Sequence, residues 1–369
     1  MTIETALESR TTDWFADEVL GEGERRALWE QRPLITAHVG RTFDAVFGGD
    51  PQRLSEVERF SAARAAAEIS GAGALAEAYG AELDALGEDV AEAAGPRLDA
   101  IVNFATIVAA DPVHIGDAHY DALRAVGLGE SALVTLTLLV GFVSYQVRAL
   151  AALTALEGSA DDPVAAPVPT AGIVKGLEDI DFTLAPLDWK PRVEVLEVST
   201  ATERELEVLD AMGPWARRHP FTLTLGRDAE VFFERDKLTD ASMESIVHGD
   251  ALPPAEREFA ALVESRVTGC RYCAFVHGNA SIKLGGDRDA VHAVIKDGID
   301  ADLGQRARAI ADFSAELAVT PPAPTGAAVQ RLRDAGLSTG EILDLSYAVA
   351  QFAWANRTML PLGQTVKPE

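Results

Sequence analysis

The stretch "SALVTLTLLVGFVSYQVRALAALTAL", Ser131 to Leu156, is apolar around almost every turn that a helix would make. A membrane span needs about 18 or more consecutive apolar residues, and polar residues interrupt this run throughout. A helix that is hydrophobic on all sides and does not cross a membrane lies in the core of a large protein. The stretch therefore predicts a long, buried core helix.

Other segments show the same preference for helices. Apolar residues recur at helical spacing in "ERFSAARAAAEI", "PAEREFAALVESRV" and "GEILDLSYAVAQFAWANRTML". Only "RVEVLEVS", which begins at Arg192, alternates as a strand would. We expect an all-α fold with one short strand.

The chain also repeats itself. "LRAVGL", Leu123 to Leu128, returns as "LRDAGL", Leu332 to Leu337. The same number of residues separates Arg148 in the first half from Arg357 in the second, so these two arginines correspond. Sparse identities in conserved order indicate a tandem duplication of one helical unit.

Near the start of each half, the corresponding residues of the two copies are separated by a slightly smaller number of residues. It aligns Glu56 and Glu58 with Glu256 and Glu258. In this register Cys270 corresponds to Ser70, Cys273 to Gly73 and His277 to Glu77, so the cysteines belong to the second copy alone.

A stretch rich in Pro, Gly and Asp, residues 157–191, divides the chain into near-equal halves. We predict a degenerate helical domain over residues 1–157, a linker over 158–200, and a second helical domain with the cysteines over 201–369.

The composition narrows the range of partners. The formal net charge is −26, which disfavours nucleic acid and anionic membrane surfaces. The first residues lack the basic and apolar regions of a secretion signal, so we expect a cytoplasmic protein. Two cysteines in 369 residues do not make a disulfide framework.

Both cysteines lie in "GCRYCAFVHG", Gly269 to Gly278. A helix that ends at Gly269 and another that begins near Cys270, with Thr268 or Gly269 as its cap, would place the thiols in a first helical turn. The helix dipole there lowers a thiol pKa. Cys273 and His277 are four residues apart and share a helix face, so the histidine could accept the thiol proton.

Glu258 lies on the preceding predicted helix and could orient His277, as the third group of a catalytic triad does. Two other interpretations stay open for these residues. Cys270, Cys273, His277 and Glu258 could bind zinc, although a second ligand pair far along the chain is absent. The cysteines could also be inert core residues.

The spacing of Glu258, Cys270, Cys273 and His277 resembles the signature of the alkylhydroperoxidase D-like proteins of the carboxymuconolactone decarboxylase superfamily. "SRVTGCRYC" and "FAWANRTMLPLG" also resemble segments of its peroxidase-related members. The resemblance covers the chain as two fused copies, firmly in the second and weakly in the first.

This resemblance implies an all-helical homo-oligomer. It implies a peroxidase that reduces hydroperoxides by a dithiol–disulfide cycle, without haem, flavin or metal, and takes electrons from an unknown dithiol. Cys273 would attack the peroxide, Cys270 would resolve the sulfenic acid, and His277 would move the proton with help from Glu258. Tyr272 stands between the cysteines where some members carry histidine. A protein thiol–disulfide oxidoreductase and a zinc-binding scaffold are the alternative functions.

Overall fold

The computed structural model describes residues 13–87, 93–158, 180–243 and 250–368, and most of these residues are helical. A π-helical turn, Phe15–Leu20, precedes the helices of the first half. These helices are α1 (Glu24–Trp29), α2 (Pro33–Phe47), α3 (Glu56–Ile69), α4 (Gly73–Leu86), α5 (Pro96–Ala110), α6 (Asp117–Ala125) and α7 (Glu130–Glu157).

The second half opens with strand β1 (Asp188–Pro191) and closes with strand β2 (Gly363–Val366). The helices between them are α8 (Glu203–Ala211), α9 (Pro220–Leu225), α10 (Ala229–Met243), α11 (Pro254–Thr268), α12 (Arg271–Lys283), α13 (Arg288–Asp297), α14 (Gln305–Ala318), α15 (Gly326–Asp334) and α16 (Thr339–Leu362). The predicted all-α class is confirmed.

The long helices α7 and α16 make the most extensive helix–helix contact among the described residues. They approach so closely at Gly141 that a Cβ atom there would lie 2.1 Å from Cδ1 of Trp354. The ring of Phe142 packs 5.4 Å from the same indole. A glycine at this crossing is therefore a packing requirement.

Helix α7 is the only helix in the described ranges that is long and apolar enough to cross a membrane. Of its most apolar 18-residue window, 94% is buried inside the protein. The prediction of a buried core helix over this segment is confirmed.

Helices of the two halves correspond in order, and buried arginines mark equivalent positions. Nε of Arg59 in α3 donates to the carbonyl of Leu54 at 3.0 Å. Nε of Arg257 in α11 donates to the carbonyl of Leu252 at 2.9 Å. The duplicated unit pairs α2 with α10, α3 with α11, α4 with α12, α5 with α14, α6 with α15 and α7 with α16.

Two ion pairs repeat in the same way. Arg97 at the start of α5 bonds Glu58, with Nε and Oε1 2.5 Å apart. Arg306 at the start of α14 bonds Glu256 over 2.7 Å. Glu58 therefore corresponds to Glu256 and not to Glu258, so the sequence register at the start of each half is wrong by two residues.

The correction carries through to the cysteines. Gly71 and Gly269 both follow their helices with left-handed φ angles of 71° and 86°. The next residues, Ala72 and Cys270, begin the paired helices α4 and α12. The expected pairing of Cys270, Cys273 and His277 with Ser70, Gly73 and Glu77 is therefore wrong, because one common glycine turn fixes the register.

Contacts between the copies are reciprocal. In α7, Nη2 of Arg148 donates to the carbonyl of Ala318 at 3.0 Å. In α16, Nε of Arg357 donates to the carbonyl of Ala109 at 2.9 Å. The two alanines hold equivalent places in α14 and α5, so the copies contact each other as the subunits of a two-fold dimer do.

The predicted strand from Arg192 is wrong. The strand lies immediately before it, where Pro191 pairs with Gly363, the first residue of the antiparallel partner β2. Beyond Pro191 the partner chain is already helix α16, so no strand is available for pairing. Strand β1 falls within the predicted linker, of which residues 159–179 lie outside the described ranges. The domain boundaries stay a prediction.

We expect Gly141→Ala to destabilise the protein, although alanine has the higher helix propensity by about 1 kcal/mol. The new methyl group would overlap the indole of Trp354, and overpacking in a core costs about 1–3 kcal/mol. Urea denaturation measures the loss of unfolding free energy. Gly73→Ala is the matched control, since nothing lies within 4 Å of that position. Equal stability of the two variants would contradict this account of the crossing.

Candidate active site

The two cysteines lie at the junction of α11 and α12. Gly269 ends α11 in the left-handed conformation, and Cys270 is the N-cap of α12. Cys273 follows in the first turn of that helix. The prediction of a helix start here is confirmed, but the cap is Cys270 itself, because Thr268 still belongs to α11.

Both thiols are free and buried, with exposed fractions of 1% for Cys270 and 4% for Cys273. They are close enough to share a hydrogen bond. The surrounding core excludes most solvent from both sulfurs.

The electrostatic environment of Cys273 differs from the prediction. The hydrogen bond with Cys270 and burial raise the pKa of the Cys273 thiol well above its ordinary value, and the charge of Glu264 adds to the rise. Arg235 acts in the opposite direction. The expectation that the helix dipole lowers the pKa of this thiol is therefore wrong.

A histidine lies one turn further along α12. Nδ1 of His277 is 2.5 Å from Oε2 of Glu258 on α11. A carboxylate at this distance accepts the Nδ1 proton, which leaves Nε2 as the free basic nitrogen of the ring. The ring also packs edge-on against Phe352, with centroids 4.2 Å apart. The histidine is thus fixed in both tautomer and orientation.

The structure brings together the four residues that the sequence singled out. Helices α11 and α12 pack against each other along their lengths. This contact sets Glu258 against His277, and the first turn of α12 holds both cysteines. The catalytic roles of these four residues stay a prediction.

The corrected register shows how the first copy differs at these positions. Each polar residue of the second copy corresponds to an apolar or aromatic one in the first. Phe60, Ala66, Ala72, Leu75 and Tyr79 occupy the places of Glu258, Glu264, Cys270, Cys273 and His277. The first copy has apolar and aromatic residues where the second has the cysteines, His277 and two glutamates.

Sequence reasoning missed Glu264, which is fully buried on α11. Nδ2 of Asn356 donates to its carboxylate, and Nη1 of Arg357 lies 3.9 Å from it. Burial raises the pKa of Glu264 to about 7, although Arg357 and Arg148 oppose the rise. The carboxyl group therefore changes charge near neutral pH. In the corrected register Glu264 occupies the position that Ala66 occupies in the first copy. This difference is the sequence signal that could have revealed it.

Arg235, on α10, was also missed. It is buried and lies between two aromatic rings, with its guanidinium carbon 5.7 Å from the centroid of Phe221 and 5.6 Å from that of Trp354. Its charge acts on Cys273.

Three further polar residues have structural roles. Arg357 donates to the carbonyls of Ala109 and Ala353 and lies near the carboxylate of Glu264. His114 is exposed and bonds Asp111, and the ring of His119 accepts from Gly116 at a helix start. The segment Gly71 to Ala76, which imitates a dinucleotide-binding fingerprint, follows a helix and no strand.

Metal binding was the alternative for the cysteine cluster. Over the described ranges, no group of three or more His, Cys, Asp or Glu side chains is arranged to hold a metal ion. Glu258 directs its carboxylate at His277 instead.

Comparison with known proteins gives one match. Residues 236–316 match the model of the carboxymuconolactone decarboxylase family. No curated protein matches the chain. The matched segment contains Glu258, Cys270, Cys273 and His277, which confirms the family resemblance for this part of the chain.

Proposed function

We propose that the protein is a thiol-dependent peroxidase that reduces hydroperoxides through Cys270 and Cys273. The observation that supports this best is a buried, hydrogen-bonded thiol pair one helical turn from a histidine whose Nδ1 is held by a carboxylate. Burial and the hydrogen bond with Cys270 raise the pKa of the Cys273 thiol, so this thiol needs a base to form the thiolate. His277 is that base.

The reaction has three steps. Nε2 of His277 takes the proton of Cys273, and the thiolate attacks one peroxide oxygen. The O–O bond breaks, the leaving alkoxide takes the proton from His277, and Cys273 becomes a sulfenic acid. The thiol of Cys270 then attacks that sulfur, water leaves, and a disulfide forms. A small external dithiol returns two electrons and two protons by thiol–disulfide exchange.

Burial favours a small substrate over a protein thiol. A hydroperoxide needs only a narrow path to sulfurs that are 1% and 4% exposed. A protein dithiol would have to reach the same atoms with a bulky chain. A thiol–disulfide oxidoreductase is therefore the second candidate, and it would leave a mixed disulfide when Cys270 is removed.

We expect Cys273→Ser to abolish peroxide consumption, because serine cannot act as the nucleophile that accepts the peroxide oxygen. The assay follows loss of an organic hydroperoxide in the presence of a small dithiol, with the metal content of the same sample measured. Ser281→Ala, in the same helix, is the control for general disturbance. Full activity in Cys273→Ser would reject the peroxidase, and about one bound zinc per chain in the wild type would favour the scaffold.

We expect Glu258→Gln to slow peroxide consumption about a hundredfold, since an amide neither fixes the Nδ1 tautomer nor stabilises the imidazolium. Glu256→Gln is the matched control two residues away. This substitution removes the ion pair between Glu256 and Arg306, which is equivalent to the Glu58–Arg97 pair of the first copy. It should therefore reduce the stability of the protein and leave the rate of peroxide consumption unchanged. Equal rates in both variants would show that Glu258 does not assist His277.

A further inference from the structure

Arg148 and Arg357 hold equivalent positions in the two copies, but only Arg357 has an ion pair. Its Nη1 lies 3.9 Å from Oε1 of Glu264, and its nitrogens Nε, Nη1 and Nη2 all donate to oxygens. Arg148 is fully buried and donates through Nη2, whereas its Nε and Nη1 have no hydrogen-bond partner in the described ranges. The charge of Glu264 also acts on Arg148, but its ion pair is with Arg357. Two buried guanidinium groups therefore share one carboxyl group.

The corrected register between the copies explains this difference. Ala66 holds the position of Glu264, and Ser70 holds that of Thr268. The hydroxyl of Thr268 donates to the carboxylate of Glu264 over 3.4 Å. The hydroxyl of Ser70 is also buried, but its Oγ has no hydrogen-bond partner. The first copy has thus kept two buried donors, Arg148 and Ser70, without the carboxylate, and buried donors that lack an acceptor are unfavourable.

Ser70 lies in the wall of a cavity of about 330 Å³. The wall is formed by α1, by the turn between α3 and α4, by α7 and by the segment after α14. Its residues are Arg25, Ser70, Gly71, Ala72, Gly73, Ala74, Val147, Leu150, Ala151, Thr154, Pro322 and Pro324. None of these lining residues is Asp or Glu, although the chain has a net charge of −26. The one charged side chain among them is Arg25, which pairs with Glu157 at 2.9 Å.

Arg148 lies behind one wall of this cavity. Val147, its neighbour in α7, lines the cavity. Nη2 of Arg148 donates to Oγ1 of Thr320 at 2.8 Å. The next residue, Pro321, packs against the turn in the wall, because a Cβ atom at Gly71 would lie 3.1 Å from its Cβ atom. The guanidinium group is therefore held among the segments that form the wall, where the low dielectric of the core strengthens the effect of its charge.

Helix α4 begins at the same cavity. Its first residues, Gly73 and Ala74, lie in the wall, and its N-cap residue, Ala72, makes no side-chain hydrogen bond to them. The first N–H groups of a helix have no partner within the helix and carry the positive end of its dipole. With the hydroxyl of Ser70 and the charge of Arg148, they form a set of donors that suits an anion.

We propose that this cavity binds a small carboxylate with an apolar tail, held by the N-terminus of α4 and by Ser70 and balanced by the charge of Arg148. The carboxylate class follows from the second copy, where the carboxylate of Glu264 lies against the equivalent arginine and hydroxyl. Leu150 and Ala151 supply apolar wall for the tail. The site lies in the copy without cysteines and does not depend on the proposed peroxidase function.

The test measures the binding of hexanoate to the full chain by isothermal titration calorimetry, with hexanamide as the uncharged analogue. We expect hexanoate to bind and hexanamide to bind about tenfold more weakly, because donors gain more from a charged acceptor than from a neutral one. Arg148→Gln removes the cation. It should weaken hexanoate binding about tenfold and leave hexanamide binding unchanged.

A second variant tests the site if Arg148→Gln does not fold. Ala74 is exposed in the first turn of α4, where a glutamate suits the helix dipole. Ala74→Glu places a carboxylate of the chain at the site, so it should weaken hexanoate binding about tenfold or more. Ala81→Glu is the matched control, because it adds the same charge at an exposed position of the same helix that does not line the cavity. Its affinity for hexanoate should equal that of the wild type.

Four results would overturn the proposal. The first is a wild-type protein that binds no hexanoate at about 10 mM. The second is equal affinity for hexanoate in Ala74→Glu and Ala81→Glu. The third is equal affinity of the wild type for hexanoate and hexanamide, which would show an apolar cavity without an anion site. The fourth is tighter binding of inorganic phosphate than of hexanoate, which would contradict the carboxylate class. Since no peroxide is used, none of these results bears on the peroxidase.

Discussion

The crossing of α7 and α16 at Gly141 is the contact on which the rest of the structure depends. Trp354 fills the space that a side chain at Gly141 would occupy. That position fixes α16 in depth and rotation. The same helix then carries Phe352 to the ring of His277 and Asn356 to the carboxylate of Glu264. A shift of either helix would therefore move residues that contact His277 and Glu264, which lie near the cysteine pair.

Fusion of the two copies explains why they could diverge. In a symmetric dimer of identical chains both copies must carry every residue of the site. Within one chain, each copy can change alone while the shared contacts persist. The contacts that remain in both copies are structural, such as Glu58 with Arg97 and Glu256 with Arg306. The polar groups around the cysteines occur once, because buried polar atoms destabilise a core unless a function retains them.

Much of the fold and the four motif residues could be predicted from the sequence. Helical periodicity is strong in an alanine-rich chain, and the motif spacing is specific. The register between the copies was harder, because glutamates alternate in both. In the sequence, the match of Glu56 and Glu58 with Glu256 and Glu258 is as good as the match of Glu58 with Glu256. The contacts of the buried arginines, the repeated ion pairs and the common glycine turn resolve this ambiguity.

The groups that tune Cys273 could not be read from local sequence, because they come from distant segments. Arg235 lies on a different helix, α10, well before Cys273 in the sequence. Asn356 lies on α16, near the end of the chain. Burial decides their effect. The low dielectric of the core strengthens the influence of Arg235 and Glu264 on one thiol, whereas water would screen both. A helix dipole at a solvent-exposed first turn would favour a thiolate, but here the neighbouring thiol and burial outweigh it. The pKa of the Cys273 thiol therefore depends on groups held by different helices, with Glu264 on α11 acting in one direction and Arg235 on α10 in the other.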